Sequence, residues 1–283
     1  MQKLRPDPIT KEEISKYLES QDDFALELRT LAILKGNDYE ASHGGTYSDP
    51  RTNTDRQYDI RASIKSDRCH VKLAVECKCL QENFPLLVSC VHRNSKEAFH
   101  DLIVSWQAGK AGKRPYPTYQ QDKLRVTGNQ SFYRVNEYVG KSTTQIGISA
   151  SKDREFVSGD GEVYGKWSQA IASSFDLIVD AGKLDNEVRI TAILPILVVP
   201  DGTLWQVLYG ENGVQVGQPN PASESCIYID KTYTFEKYSF TISHLNIFTF
   251  GKFQWFVNQL KWASQSSNSL FPTDSINMFF EKH

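Results

Sequence analysis

The amino-acid sequence predicts an α/β fold, and three observations lead to this expectation. The first is a pair of helix-start patterns near the amino end. The second is two apolar segments, residues 57–64 and 71–79, joined by a tight connection as in a β-hairpin. The third is a helical pattern over Lys166–Ala181 followed by a continuous apolar run, Thr191–Pro200, which is typical of a buried strand. This alternation of helices and strands favours an α/β arrangement.

The two amino-terminal helices are predicted from their caps. Thr10 followed by Glu13 is a capping-box pattern, and Ser20 followed by Asp23 repeats it. The second helix is therefore expected over Phe24–Lys35. Its expected apolar face consists of four residues at helical spacing: Phe24, Leu28, Leu31 and Ala32.

The remaining elements are less regular. A short strand is expected within the turn-rich residues 37–50, and another over Leu86–Val91. Residues 108–131 hold glycines and prolines without a helix or strand period, so they are interpreted as an insertion or mobile loop. A turn at residues 201–202 is expected to pair the buried strand with Leu204–Tyr209 as a hairpin. The elements predicted from the last third are strand-like pieces and an aromatic-rich helix, about Phe250–Ala263.

Composition sets the expected environment. The chain has 283 residues, 40% hydrophobic and 23% charged, with a net charge of −2, so any nucleic-acid binding needs a local basic patch. The longest strongly apolar run, Ile193–Val199, is too short to span a bilayer. Neither a signal peptide nor a membrane partner is expected. Five cysteines without a secreted framework fit a reducing cytoplasm.

The hairpin at residues 57–79 has one apolar face if its turn is centred between Asp67 and Arg68. Such a face fixes the register of an antiparallel pair. The opposed apolar pairs are then Ile60 and Val75, Ala62 and Leu73, and Ile64 and Val71.

The other face of this hairpin carries the candidate chemistry. Asp59 lies opposite Glu76, with their Cβ atoms about 4.5–5.5 Å apart, and Lys78 follows two residues later on the same face. Two carboxylates so close repel each other unless a cation lies between them. Carboxylate oxygens suit Mg²⁺ or Mn²⁺. A nearby ammonium can orient an attacking water or stabilise charge on a phosphate.

Asp59 and the sequence Glu76-Cys77-Lys78 after an apolar strand resemble the PD-(D/E)XK phosphodiesterase superfamily. The resemblance implies a restriction-endonuclease-like core, which consists of a helix, a three-stranded antiparallel hairpin unit, a helix and a strand. This core would cover about Thr10–Leu80 and Lys166–Tyr209. We expect one nuclease domain over residues 1–283, with an insertion at 83–165 and a carboxy-terminal extension at 210–283.

The same resemblance implies roles for individual residues. Asp59 and Glu76 would bind Mg²⁺ or Mn²⁺, and Lys78 would be the catalytic lysine. Glu27 matches a glutamate that members often add on the first core helix. Gln169 matches a glutamine on the helix that follows the core strands. The implied function is endonucleolytic hydrolysis of DNA phosphodiester bonds in restriction or antiviral defence. A partner protein or a homo-oligomer would select the target.

A basic segment offers candidate DNA contacts. Lys110, Lys113 and Arg114 precede Lys123 and Arg125, with tyrosines between them and a single acid. Basic residues neutralise phosphates, and tyrosines stack on unpaired bases. The alternative is a solvated loop without a binding role.

Structural alternatives remain open for the other residues. A mixed-charge surface hairpin also produces the Asp59, Glu76 and Lys78 spacing, and Glu27 and Gln169 could be solvated helix residues. Cys77 belongs to a set of cysteines that could bind zinc, but the hairpin places it on the apolar face. The alternative function is a non-catalytic nucleic-acid-binding or assembly module that retains the nuclease fold.

Overall fold

The computed structural model of the chain describes residues 6–50, 52–66, 69–108, 118–150, 154–159, 161–181, 189–235, 238–263, 270–274 and 276–277. Its longer helices are Lys11–Gln21 (α1), Asp23–Gly36 (α2), Gly161–Ala181 (α3) and Phe250–Ala263 (α4). The chain is a mixed α/β protein with a large sheet. None of the described helices is both long enough and apolar enough to cross a membrane.

Strands contribute most of the described regular structure. The first eight are β1 (Glu40–His43), β2 (Thr46–Ser48), β3 (Asp55–Gln57), β4 (Ile60–Ser66), β5 (Cys69–Cys77), β6 (Leu86–His92), β7 (Phe99–Ala108) and β8 (Thr118–Thr127). The others are β9 (Tyr138–Ile148), β10 (Phe156–Gly159), β11 (Arg189–Val199), β12 (Leu204–Tyr209), β13 (Gln215–Pro221), β14 (Glu224–Phe235) and β15 (Tyr238–Thr249). Thirteen of them share one sheet, and β2 pairs with β3 separately.

One end of the large sheet is built by α2, β1, β4, β5, α3 and β11. Strand β4 is antiparallel to both β1 and β5, whereas β5 is parallel to β11. Helix α3 packs across β5 and β11. These two strands are almost entirely buried, because the sheet is covered on both faces as parallel pairs require. The prediction of a buried strand at Thr191–Pro200 is confirmed.

The predicted hairpin register is also confirmed. Ile60 pairs with Val75, and both side chains are fully buried. The turn residues Asp67 and Arg68 lie outside the described residues. The face opposite the apolar one is not open to solvent, since α3 covers it. Lys72 on that face is buried and forms an ion pair with Asp180 of α3.

The amino-terminal caps follow the prediction in part. The Thr10 hydroxyl accepts a hydrogen bond from the Glu13 N–H (3.1 Å), and the Glu13 carboxylate accepts one from the Thr10 N–H (2.9 Å), which completes the capping box. For α2 the prediction of Ser20 as the cap was wrong. Asp22 caps α2 instead, because its carboxylate accepts from the Phe24 N–H at 2.9 Å.

The predicted apolar face of α2 was wrong except for Leu31, which packs against the core. Phe24 and Leu28 are 53% and 43% exposed. The helix instead buries three residues spaced one turn apart: Leu26, Thr30 and Leu34. Leu26 and Leu34 on this face belong to the hydrophobic core. Glu27, next to the buried Leu26, consequently lies at the edge of the interface rather than in the middle of the exposed face.

Strands occur within residues 83–165 as well. The strand expected at Leu86–Val91 is confirmed as β6. The interpretation of residues 108–131 as irregular was wrong for Thr118–Thr127, which form β8 and pair with β7 along their whole length. Apolar Leu124 and Val126 alternate with charged residues, so the sequence pattern of a half-buried strand was present, but it covers only a short part of β8. Residues 109–117 lie outside the described part of the chain.

The predicted hairpin between the buried strand and Leu204–Tyr209 was wrong. Both long edges of β11 are occupied, chiefly by β5 on one side and β15 on the other. Strand β12 therefore pairs elsewhere, parallel to β6 and antiparallel to β13. Gly202 (φ 81°) supports the sharp change of direction, since a positive φ favours glycine. The helix predicted at Phe250–Ala263 is confirmed as α4.

Candidate active site

An open cleft of about 1170 Å³ lies where α2, the entry to β4, the end of β5 and the first half of α3 meet. Its lining includes Glu27, Asp59, Lys78, Lys166 and Gln169. Strands β4 and β5 pair within the buried sheet, and α3 packs across β5, so these three bordering elements are held together. The side chains that face the cleft are therefore set by the same packing that fixes the hairpin register.

Asp59 and Glu76 are neighbours, as that register predicts. Asp59 immediately precedes β4, and its backbone N–H donates to Glu76 Oε1 at 3.4 Å. In return, the Cys77 N–H donates to Asp59 Oδ2 at 2.8 Å. These two bonds tie the first carboxylate to the strand that carries the second. The carboxylates are therefore held in place by the backbone.

Glu27 reaches the same place from α2. Its Oε2 lies 2.8 Å from His43 Nε2, and its side chain is only 12% exposed. Burial raises the pKa of Glu27, and the nearby Asp59 carboxylate also raises it, against the opposing hydrogen bond from His43. Sequence analysis found Glu27 from the family pattern but missed His43, which has no motif around it.

Lys166 of α3 lies among these carboxylates. Its Nζ is 2.9 and 2.8 Å from the two Asp59 oxygens. The same nitrogen is 3.9 Å from Glu27 Oε1 and 3.9 Å from Glu76 Oε2. Sequence analysis missed Lys166. The available signal was its position three residues before Gln169, which places both on neighbouring positions of one helix surface.

Lys78 lines the same cleft, but its ammonium forms ion pairs outside the carboxylates of Glu27, Asp59 and Glu76. Its Nζ forms ion pairs with Glu162 (2.9 Å) and Asp23 (3.3 Å). Lys78 directly follows β5, and its backbone N–H donates to the Val198 carbonyl oxygen of β11 at 3.0 Å. Burial lowers the pKa of Lys78, but the partners Glu162 and Asp23 outweigh it, and the pKa is raised overall. Its ammonium thus links the amino ends of α2 and α3.

The proposed substrate-binding residues are only partly described. Gln169 lines the cleft, and its amide Nε2 lies 3.5 Å from the Gln57 carbonyl oxygen. Lys110, Lys113 and Arg114 lie outside the described residues. Arg125, from the same basic segment, forms an ion pair with Asp101 at 2.7 Å.

Glu76 is the most deeply buried member of the carboxylate cluster formed by Glu27, Asp59 and Glu76. Its Oε2 is buried without a hydrogen-bond partner, although the Lys166 ammonium lies 3.9 Å away. Burial raises the pKa of Glu76 well above the usual 4.5, and the Asp59 carboxylate raises it further. Three carboxylates thus face one ammonium. An additional positive charge would stabilise the ionised cluster.

A divalent cation fits this cluster chemically. The donor set is all carboxylate, which suits Mg²⁺ or Mn²⁺, and the unpartnered Glu76 Oε2 is available as a ligand. Within the described ranges, however, no three His, Cys, Asp or Glu side chains are already grouped to hold a metal ion. The Lys166 ammonium lies within 4 Å of all three carboxylates instead. The described cysteines belong to no such group either.

The raised pKa values predict how stability depends on pH. Glu27 and Glu76 bind protons more tightly in the folded than in the unfolded chain, so metal-free stability should fall as the pH rises from 4.5 through their folded pKa values. Each group lowers the free energy of unfolding by at most about 1.4 kcal/mol for each unit by which the pH rises. The Glu76→Gln variant should lose its share of this slope and become more stable at neutral pH.

Urea unfolding at several pH values measures this effect. The quantity of interest is the difference between the wild-type protein and Glu76→Gln, because buried histidines act in the opposite direction. His100, for example, has its pKa lowered by burial to about 4. A variant that is less stable than the wild-type protein at neutral pH without metal would contradict the buried-charge interpretation.

Comparison with known proteins gives no match. No protein-family model, no curated protein and no solved structure matches this chain. The fold and the site define a mixed α/β protein with an open cleft. The carboxylate cluster lies at the base of this cleft, and one lysine contacts it.

Proposed function

We propose that this protein is a metal-dependent nuclease that hydrolyses DNA phosphodiester bonds. One observation carries the proposal: carboxylates from three separate elements, Glu27, Asp59 and Glu76, converge within 4 Å of one cationic nitrogen. Clustering carboxylates in a partly buried place costs free energy unless a cation is bound there. Such a cluster beside an open cleft suits the chemistry of a phosphodiesterase.

The arrangement of elements supports the same proposal. Helix α2, strands β1, β4 and β5, helix α3 and strand β11 follow the order expected for a restriction-endonuclease-like core. The candidate ligands lie on α2, at the entry to β4 and near the end of β5, as the resemblance to the PD-(D/E)XK superfamily implies. The proposal of this fold family rests on that agreement in order and position.

Several residues of the chain would contribute to catalysis in different ways. Asp59, Glu76 and, at the edge, Glu27 would hold Mg²⁺, which supplies Lewis-acid activation of the phosphate and of a water. The Cys77 N–H and the Asp59 N–H keep the two central carboxylates aimed at one place. An ammonium in the cleft would orient the attacking water and offset negative charge in the transition state. Lys78 is the candidate from the sequence pattern, and Gln169 is a candidate phosphate contact.

Binding of DNA would extend beyond the cleft. Lys110, Lys113 and Arg114 remain the proposed phosphate contacts, since the net charge of −2 provides no general attraction. A role in restriction or antiviral defence follows from the family resemblance, whereas the cytoplasmic location is proposed from the cysteine usage, and a partner protein or a homo-oligomer is proposed to select the target. The defence role and the target selection are parts of the proposal that depend on nuclease activity.

One observation favours a second candidate, a non-catalytic nucleic-acid-binding module that retains the nuclease fold. Lys166 already supplies a positive charge to the cluster, with its Nζ 2.8 Å from Asp59. A chain that no longer binds metal could be stabilised in this way. The two candidates differ in one property, which is cleavage in the presence of a divalent cation.

A plasmid assay tests the proposed function. Supercoiled DNA, single-stranded DNA and RNA are each incubated with the full chain and Mg²⁺ or Mn²⁺, with EDTA as the control. We expect nicked or linear DNA only when the metal is present, because the carboxylates need it to activate a water. Binding without cleavage under every metal condition would favour the non-catalytic module.

A further inference from the structure

We propose that Lys166 is an internal cation that occupies the carboxylate cluster in the metal-free protein and that a divalent metal must displace it. The inference rests on the proposed function. Its geometric basis is that Lys166 Nζ lies within 4 Å of all three carboxylates. No other described lysine in the cleft has this position, since Lys78 pairs with Asp23 and Glu162.

The contacts indicate competition rather than cooperation with a metal. The ammonium lies at hydrogen-bond distance from both oxygens of Asp59, the oxygens that a divalent ion would need. Two cations cannot share that space, and the like charges repel each other. Lys166 therefore stabilises the cluster without metal and lowers its affinity for metal.

The helix allows Lys166 to leave without unfolding. On either side of it, Val163 and Ala170 are fully buried and anchor α3. Rotation of the flexible four-carbon side chain is enough to move the ammonium, and the backbone can stay in place. Gln169 lies one turn away along the same helix and lines the cleft. A displaced Lys166 ammonium thus remains in the cleft, where it can neutralise a substrate phosphate.

Lys166 would then take the catalytic position that the sequence pattern gives to Lys78. The ion pairs of Lys78 with Asp23 and Glu162 give it a positioning role instead, because they connect α2 to the start of α3. This connection lies four residues before Lys166 on α3.

Matched variants separate the two lysines. Lys166→Met and Lys78→Met each replace an ammonium by an uncharged side chain of similar length, and Lys166→Arg keeps the charge. Each EDTA-stripped full-length protein is titrated with Mn²⁺ or Ca²⁺ by calorimetry, without DNA. Circular dichroism first checks that each variant is folded, with Lys166→Gln as the substitute if the Met variant is not.

Lys166→Met should bind the metal about tenfold more tightly than the wild-type protein, since removal of one competing ion pair is worth about this factor. Lys166→Arg should bind no more tightly than the wild-type protein, and Lys78→Met should differ from it by less than about twofold. Cleavage by Lys166→Met should nevertheless fall. A merely structural role for Lys166 would lower the metal affinity or leave it unchanged.

The outcomes distinguish this inference from the proposed function. If the wild-type protein binds metal and Lys166→Met binds it equally or more weakly, the proposed competition between Lys166 and the metal is contradicted. The nuclease proposal is not affected by that result. If only Lys166→Met binds metal, the internal cation is supported and metal-dependent activity of the free chain is contradicted. If neither protein binds metal, both proposals are contradicted.

Discussion

Replacement of Asp59 by asparagine should reduce Mg²⁺-dependent DNA cleavage by about a hundredfold to a thousandfold, or about 2.7–4 kcal/mol of transition-state stabilisation. The amide keeps the size of the side chain and can still accept the Cys77 N–H. It loses the negative charge that the Lys166 ammonium contacts and that the proposed metal ion would need. The measurement is the rate of plasmid nicking at saturating Mg²⁺, together with the metal affinity, and both should fall.

Asp176→Asn is the matched control. Asp176 is a carboxylate of α3 that pairs with Arg61 at 3.3 Å and lies outside the cleft lining. The same chemical change there should leave cleavage within about twofold of the wild-type rate, since partly exposed ion pairs contribute little. Equal rates for Asp59→Asn and the wild-type protein would contradict the role of Asp59 as a metal ligand.

Replacement of Arg125 by alanine should destabilise the protein by about 3 kcal/mol. Arg125 donates to both carboxylate oxygens of Asp101, at 2.7 and 3.0 Å, and the Asp101 side chain is fully buried. The Thr241 N–H donates to the same carboxylate at 3.0 Å, so Asp101 joins β7, β8 and β15. Loss of the guanidinium leaves a buried charge with too few partners. Urea unfolding measures the change.

Lys123→Ala provides the comparison for Arg125. Lys123 comes from the same basic segment, but its Nζ is 3.9 Å from Asp101 and makes a weaker contact. Its loss should cost less than about 1 kcal/mol. Equal effects of the two substitutions would mean that Asp101 does not depend on the bidentate pair. In that case Arg125 would again be available as a DNA contact.

The structure confirms two sequence predictions that depend on neighbouring residues. The capping box at Thr10 and Glu13 needs only four consecutive residues. The register of Ile60 against Val75 follows from a short connection and a period of two, and it brings Asp59 and Glu76 together. In both cases the residues that give the sequence pattern and the residues that form the contact lie within about twenty positions of each other.

Predictions failed where distant packing decides the outcome. The exposed face of α2 was misassigned because the sheet, rather than helical spacing alone, determines that Leu26 is buried. Strand β12 does not pair with β11, because β15 from a distant part of the chain already occupies that edge. Neither partner could be identified from the local pattern.

The candidate site shows the same division. Asp59 and Glu76 were found from local spacing, and Glu27 from the family pattern. Lys166 could not be found in this way, because about ninety residues separate it from Glu76 and only the packing of α3 on β5 brings them together. Lys78 was assigned from its spacing to Glu76, and it lines the same cleft, but its ion pairs with Asp23 and Glu162 depend on the packing of α2 and α3.

Binding of a divalent ion by the carboxylate cluster is the central claim, and anomalous diffraction from crystals grown or soaked with Mn²⁺ tests it most directly. We expect an anomalous peak about 2–2.6 Å from carboxylate oxygens of Asp59 and Glu76, with Lys166 Nζ moved out of contact with Asp59. The absence of a peak at saturating Mn²⁺, or a peak only at Asp23 and Glu162, would contradict the claim.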